Sequence, residues 1–203
     1  MINSIKDSLH YGGKPNFTKY GPIMVLHNFI PKNLVKKILE FSEVNKENFK
    51  RSQVYSGQGS KGTENSTRDS TSLMVDKMVS KEHAELEATL HGLVQTIYVE
   101  YKKFAPEFPL VIKCDEGYII IKYGVGQKFE LHCDDFQQQT RRLSCVMYLN
   151  EDYEGGELHF PEQNLILKPR EGDVILFPSF FSYPHKSLPI RSGTKLAITT
   201  WYQ

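Results

Sequence analysis

From Tyr118 onward the chain is cut into short apolar or alternating runs, separated by turn residues. The runs are Tyr118–Tyr123, Phe129–Asp134, Leu143–Leu149, Glu157–Phe160, Leu165–Leu167, Asp173–Phe177 and Lys195–Tyr202. Gly124 and Gly126, Gly155 and Gly156, Pro169 to Gly172 and Ser192-Gly193 punctuate them. Many short strands at such spacing predict an antiparallel sandwich or barrel. The helical patterns come before the strands instead of alternating with them, which argues against a doubly wound parallel sheet.

Upstream, Pro22–His27 reads as a short strand. Ile30-Pro31 opens a helical pattern with Leu34, Val35, Ile38, Leu39 and Phe41 on one face. Proline suits a helix start because its missing N–H would be unpaired there. A longer helix is predicted from about Ser80, a suitable N-cap, to Phe104. Its apolar residues Leu86, Leu90, Leu93, Val94, Ile97, Tyr101 and Phe104 recur three and four apart, and Ala105-Pro106 ends it. Ser52–Ser72 is rich in Ser, Gly, Thr and Asn, so a long mobile surface loop is expected there, either a lid or plain decoration.

The 203 residues suit one domain, with residues 1–109 as helical layer and loop and 110–203 as a strand-rich core. At 39% apolar and 24% charged, wholesale disorder is excluded. A formal charge of +1 argues against broad capture of nucleic acid or anionic lipid. No run approaches a membrane span, and Met1–Lys14 lacks the apolar stretch of a signal peptide. Cys114, Cys133 and Cys145 form no CxxC pair, which fits a reducing, cytoplasmic setting better than a disulfide scaffold.

His132-Cys133-Asp134 is the first chemical candidate. In a strand, residues i and i+2 share a side, so one imidazole and one carboxylate converge. A second imidazole, His185, would complete a two-histidine, one-carboxylate triad of the kind that holds Fe(II) with open positions. Lys195 follows His185 by ten residues; a chain reversal at Gly193 brings it alongside. A buried cation near such a metal suits a dicarboxylate, one end on the metal and the other on the ammonium.

The chain resembles the 2-oxoglutarate/Fe(II)-dependent dioxygenases, in their prolyl 4-hydroxylase-like branch. The resemblance runs through Tyr123–Asp134, Arg141–Asn150, Glu154–Phe160, Gly172–Phe177, His185 and Lys195, closing on Trp201. Pro22–Pro31 and Ser66–Ser70 match more weakly. It implies an α+β fold: a double-stranded β-helix (jelly-roll, cupin-like) core with an N-terminal helical layer packed on one sheet. It further implies Fe(II) on His132, Asp134 and His185, 2-oxoglutarate as cosubstrate held by Lys195 with Tyr123 and Tyr148, O2, and ascorbate as reductant. Arg141, Trp201 and Arg68 fall where this family meets its substrate, a proline-containing peptide or protein. Peptidyl lysine, a free amino acid, a non-catalytic ligand-binding jelly roll and a zinc hydrolase are the alternatives.

Several residues have rival readings. Tyr123 and Tyr148 equally suit core packing with a paired hydroxyl, and Trp201 suits plain core. Arg141 and Arg142 are adjacent, so at most one reaches a shared pocket. Arg191 competes with Lys195 for the cosubstrate, while His159 reads as structural or exposed. Cys133, Asp135 and Glu130 are offset by one from the ligands and should face away.

Overall fold

The computed structural model describes residues 16–54, 66–106, 112–135 and 140–203. Among the described residues, two α-helices, two larger antiparallel sheets and a two-stranded one make up the fold. The first helix, Lys32–Val44, buries Val35, Ile38 and Ser42. The second, Lys81–Phe104, buries the expected stripe from Leu86 through Tyr101. Ser80 caps it, its side chain accepting the His83 N–H, and Lys102 and Lys103 lie in the last turn. Both features favour the helix dipole and its unpaired end groups.

Fourteen strands follow in chain order among the described residues: β1 (Phe17–Tyr20), β2 (Ile23–Leu26), β3 (Lys50–Arg51), β4 (Thr71–Val75), β5 (Tyr118–Tyr123), β6 (Phe129–His132) and β7 (Leu143–Tyr148). Then come β8 (Glu154–Gly155), β9 (Leu158–Phe160), β10 (Leu165–Leu167), β11 (Val174–Pro178), β12 (His185–Ser187), β13 (Ile190–Ser192) and β14 (Lys195–Tyr202). The large sheet is ordered β1-β2-β11-β7-β14-β5-β4-β3, the small one β10-β9-β12-β6, and β13 pairs with β8.

Side-chain alternation sorts the large sheet into two faces. Met24, Leu26, Leu143, Cys145, Met147, Val174, Leu176, Ile198 and Tyr202 pack against the helices in one cluster. Ile23, Val25, Tyr148, Ile175, Phe177 and Ala197 face the other way, onto Leu158, Phe160 and Leu167 of the small sheet. Burial on both faces explains why β7, β11 and β14 read as nearly unbroken apolar runs.

The jelly roll with its helical layer is as expected. The region before residue 110 does more than supply helices, because β1–β4 extend the large sheet at both edges. The Ser52–Ser72 segment is also not one continuous loop. Lys50 and Arg51 pair with Ser72 and Thr71, and the buried Ser70 and Ser52 hydroxyls meet at 2.8 Å. Polar side chains hid these strand ends, since their hydrogen bonds form only in the folded sheet. Residues 55–65 of the loop expected over Ser52–Ser72, either lid or decoration, lie outside the described residues.

Candidate metal centre

His132 closes β6 and His185 opens β12, and the two are direct cross-strand partners. Their ring centroids are 4.3 Å apart. Asp134 sits two residues past His132, beyond the end of the strand. One ligand atom from each residue lies within 4.8 Å of the others. His132 Nε2 is 3.5 Å from Asp134 Oδ1, and His185 Nε2 is 3.6 Å from Oδ2.

The far side of each ring fixes its tautomer. His132 Nδ1 meets the Glu130 carbonyl at 2.8 Å, and His185 Nδ1 meets that of Tyr183 at 3.2 Å. A carbonyl can only accept, so Nδ1 carries the proton and the Nε2 lone pairs face Asp134. Burial opposes charge on Asp134, yet His185, His132 and the Ser144 hydroxyl outweigh it and hold the carboxyl well below its usual range. Burial pulls His185 down to about 4. Two imidazole Nε2 atoms and one carboxylate are thus presented together, a donor set that fits Fe(II) and related divalent ions.

The triad lines a cavity of about 580 Å³ shared with Tyr123, Tyr148 and Lys195. Lys195 opens β14 opposite Tyr123 and is 3% exposed. Its Nζ donates to Gly156 O at 2.7 Å and Ser187 Oγ at 3.0 Å, and stands 5.4 Å from the ring centres of Tyr123 and Tyr148. Among the described residues no carboxylate pairs with this ammonium. Burial pushes it down to about 7, partly opposed by Glu157. The Tyr148 hydroxyl is buried with no hydrogen-bond partner among the described residues. An unneutralised ammonium and an orphan hydroxyl in the triad's own cavity fit a carboxylate ligand.

The sequence model of the 2OG-Fe(II) oxygenase superfamily matches residues 118–203, the stretch that carries the triad and Lys195. The matched stretch, under half of the chain, is similar to that superfamily, and the curated relatives that the chain resembles are prolyl 4-hydroxylases. The chain is 33% identical over 115 residues to "Probable prolyl 4-hydroxylase 9" of Arabidopsis thaliana, covering 42% of this chain and 40% of that one. It is 25% identical over 210 residues to "Probable prolyl 4-hydroxylase 10" of the same plant, covering 87% and 67%. Against the first of these it therefore spans well under half the relative's length. A Trichoplax adhaerens prolyl hydroxylase in complex with a hypoxia inducible factor oxygen degradation domain peptide fragment shares the fold. Its TM-score is 0.72 at 19% identity, covering 98% of this chain and 87% of that one.

The remaining residues around the cavity sort clearly. Trp201, Arg141 and Arg68 all line the cavity. Arg141 does so with its charge already matched: Nε and Nη2 grip the Glu116 carboxylate at 2.6–2.9 Å, and the guanidinium lies 3.6 Å over the Trp201 ring. Arg142 is exposed. Arg68 is 9% exposed and lies 4.9 Å over the Phe129 ring, which in turn stacks on His132 at 3.6 Å. Arg191 sits outside, beside Glu154 and Glu157, so it is no rival to Lys195. His159 does not line the cavity, whereas Cys133 does, contrary to expectation, with its thiol donating to the Phe181 carbonyl at 3.7 Å.

Sequence reasoning missed Ser187, Gly156, Glu116, Phe129 and the serines behind Asp134. For Asp134 the strand argument was incomplete, because the residue lies past the ladder and alternation alone does not aim it. The available signal was Ser144, the serine within the otherwise apolar and aromatic run Leu143–Tyr148.

Proposed function

We propose that the protein is a dioxygenase dependent on Fe(II) and 2-oxoglutarate that hydroxylates a prolyl residue within a peptide. The observation that carries this reading is the Lys195 ammonium, buried without a carboxylate partner in the same cavity as the triad. Metal bound at His132, Asp134 and His185 would supply the oxidising chemistry, using O2 and decarboxylating 2-oxoglutarate to succinate while one oxygen atom enters a C–H bond.

The chain's own residues bind, orient and keep water out. Lys195 pairs with the distal carboxylate of the cosubstrate, held in place by Gly156 O and Ser187 Oγ. The Tyr148 hydroxyl offers that carboxylate a hydrogen bond, and the Tyr123 ring walls the other side. Val146, Leu158 and Ala197 line the same cavity and keep it apolar around the charged end. Arg68, Arg141 and Trp201 line the same cavity and are the proposed contacts for a peptide. A peptide substrate is favoured by the likeness to a fold whose solved relative carries one. An extended proline-rich segment would lose little entropy on binding.

Ascorbate is the expected reductant. The cytoplasm is the proposed compartment, where Cys114, Cys133 and Cys145, all free, stay reduced. No helix among the described residues is long and apolar enough to cross a membrane.

The test is to incubate protein, Fe(II), ascorbate and 2-oxoglutarate with proline-rich peptides, measuring succinate and the gain of one oxygen atom by mass spectrometry. Oxygen placed on a proline supports the reading. Oxygen on lysine or on free amino acids moves the substrate class. Absence of 2-oxoglutarate binding to metal-loaded protein overturns the dioxygenase assignment.

A further inference from the structure

Asp134 has no strand ladder to hold it, yet its carboxylate is aimed between two imidazoles. Behind it stand two serines. Ser144 Oγ lies 2.6 Å from Asp134 Oδ2 and 2.9 Å from Ser179 Oγ. An ionised carboxylate can only accept, so the Ser144 hydroxyl donates to Asp134. Its one proton is then spent, and the Ser179 hydroxyl must donate to Ser144. The chain of bonds therefore has one direction, from Ser179 to Ser144 to Asp134.

The fold sets both serines. Alternation along β7 turns Ser144 off the helix-facing row of Leu143, Cys145 and Met147. β11 pairs with β7 as Phe177↔Ser144 and Pro178↔Leu143, so Ser179, the next residue, emerges beside Ser144. Ser179 is also pinned at its backbone: its N–H donates to Arg142 O at 3.2 Å, and its carbonyl accepts the Asp135 N–H at 2.9 Å. Ser144 is 0% and Ser179 1% exposed, so bulk water cannot substitute for either hydroxyl. Burying two hydroxyls inside a sheet contact is costly unless both are satisfied, and here the pair is satisfied only through Asp134.

We infer that Ser144 is a positioning residue for Asp134 and that Ser179 acts through it by fixing the direction of its hydroxyl. The Ser144 hydrogen bond to Oδ2 restrains rotation of the carboxylate, which keeps Oδ1 3.5 Å from His132 Nε2 and Oδ2 3.6 Å from His185 Nε2. The inference rests on the reading that the triad holds a divalent metal. Neither serine touches the cavity where cosubstrate or peptide would sit.

The test is Co(II) titration of metal-free protein, read by calorimetry and by the visible d–d absorption of the bound ion. Ser144→Ala should weaken Co(II) binding roughly 10–100-fold and alter the band shape, as loss of an outer hydrogen-bond partner to a metal ligand does. Ser179→Ala should weaken it by less, and the double variant should be no weaker than Ser144→Ala alone, since the second serine acts through the first. A Ser144→Ala protein that binds Co(II) within twofold of the parent with an unchanged spectrum overturns the inference. If Ser144→Ala does not fold, Ser179→Ala decides. Weaker binding with an unchanged metal-free melting temperature supports the role, and unchanged binding and spectrum defeats it. Parent protein that takes up no Co(II) would instead defeat the metal reading itself.

Discussion

His185 stands directly opposite His132 across the β6–β12 ladder, and the register shifts immediately after that pair. Two proposed metal ligands far apart in sequence are thereby tied by backbone pairing, and Asp134 approaches from outside the ladder. The site is consequently sensitive to metal, to the charge at Lys195 and to the packing that holds each.

Divalent metal should stabilise the fold. Co(II) or Mn(II) at a hundredfold excess over its dissociation constant adds about 2.7 kcal/mol. For a chain of this size that raises the melting temperature by roughly 5–10 °C. Asp134→Ala and His185→Ala should abolish the rise in a thermal-shift assay. A full rise in Asp134→Ala would remove that carboxylate from the ligand set.

Lys195 makes stability and cosubstrate binding depend on pH in opposite senses. Burial brings its folded value to about 7, against roughly 10.4 in an unfolded chain. Between those limits the unfolded chain binds the extra proton, so cosubstrate-free protein gains stability as pH rises from 7 toward 10. Below pH 7 the full penalty is present. Lys195→Met should therefore be more stable than the parent at pH 6, by a few kcal/mol at most on the order of the shift, and the gap should close by pH 10. Urea melts at several pH values measure this, and a gap that does not change with pH contradicts it.

The same group should take up a proton when 2-oxoglutarate binds at pH 8, because a carboxylate partner favours the ammonium. Calorimetry in two buffers of different ionisation enthalpy reads that uptake directly. Lys195→Met should show neither the uptake nor tight binding.

Gly156 leaves room for Lys195. It has φ +66°, and a Cβ there would meet Ile190 Cδ1 at 2.5 Å, Lys195 Cδ at 3.1 Å and Tyr153 Cε2 at 3.2 Å. Left-handed backbone and three close neighbours make Gly156→Ala strained. The expected outcome is a loss of 2-oxoglutarate affinity of about tenfold, or 1.4 kcal/mol, with Co(II) affinity unchanged. Equal losses in both would mean general disruption of the site.

Glu116 should matter through Arg141. The two side chains are only 10% and 12% exposed, and Gln203 Nε2 also donates to Glu116 at 2.6 Å. Removing one partner of a largely buried pair costs roughly 3 kcal/mol. Glu116→Ala should thus lower the denaturation midpoint more than Glu116→Gln, which keeps an acceptor. If the Glu116→Ala midpoint is unchanged, the pair contributes nothing measurable.

The legible part of this molecule was whatever repeats a period or carries a motif. Leu86 to Tyr101 announced a helix, and the β7, β11 and β14 runs announced buried strands. Residue type and order picked out His132, Asp134, His185 and Lys195 as a group, and the fold does bring these four side chains to one cavity. Glu116 was invisible because nothing in sequence links it to Arg141, 25 residues away. Phe129 looked like any strand aromatic until its ring was found stacked on His132. The start of β4 was masked by Thr71 and Ser72, polar residues whose strand conformation comes from their partners in β3 and β5.

The position of β14 has a consequence for how this protein is made. It is the latest of the described strands in chain order, yet it lies in the middle of the large sheet, between β7 and β5. A nascent chain grown only as far as β13 would hold two half-sheets whose facing edges are both unpaired, with Lys195 and Trp201 still to be added. Open edges of that kind invite pairing with other chains. Closure of the sheet and completion of the cosubstrate pocket therefore coincide in one late insertion, and the growing chain is most exposed to aggregation just before it.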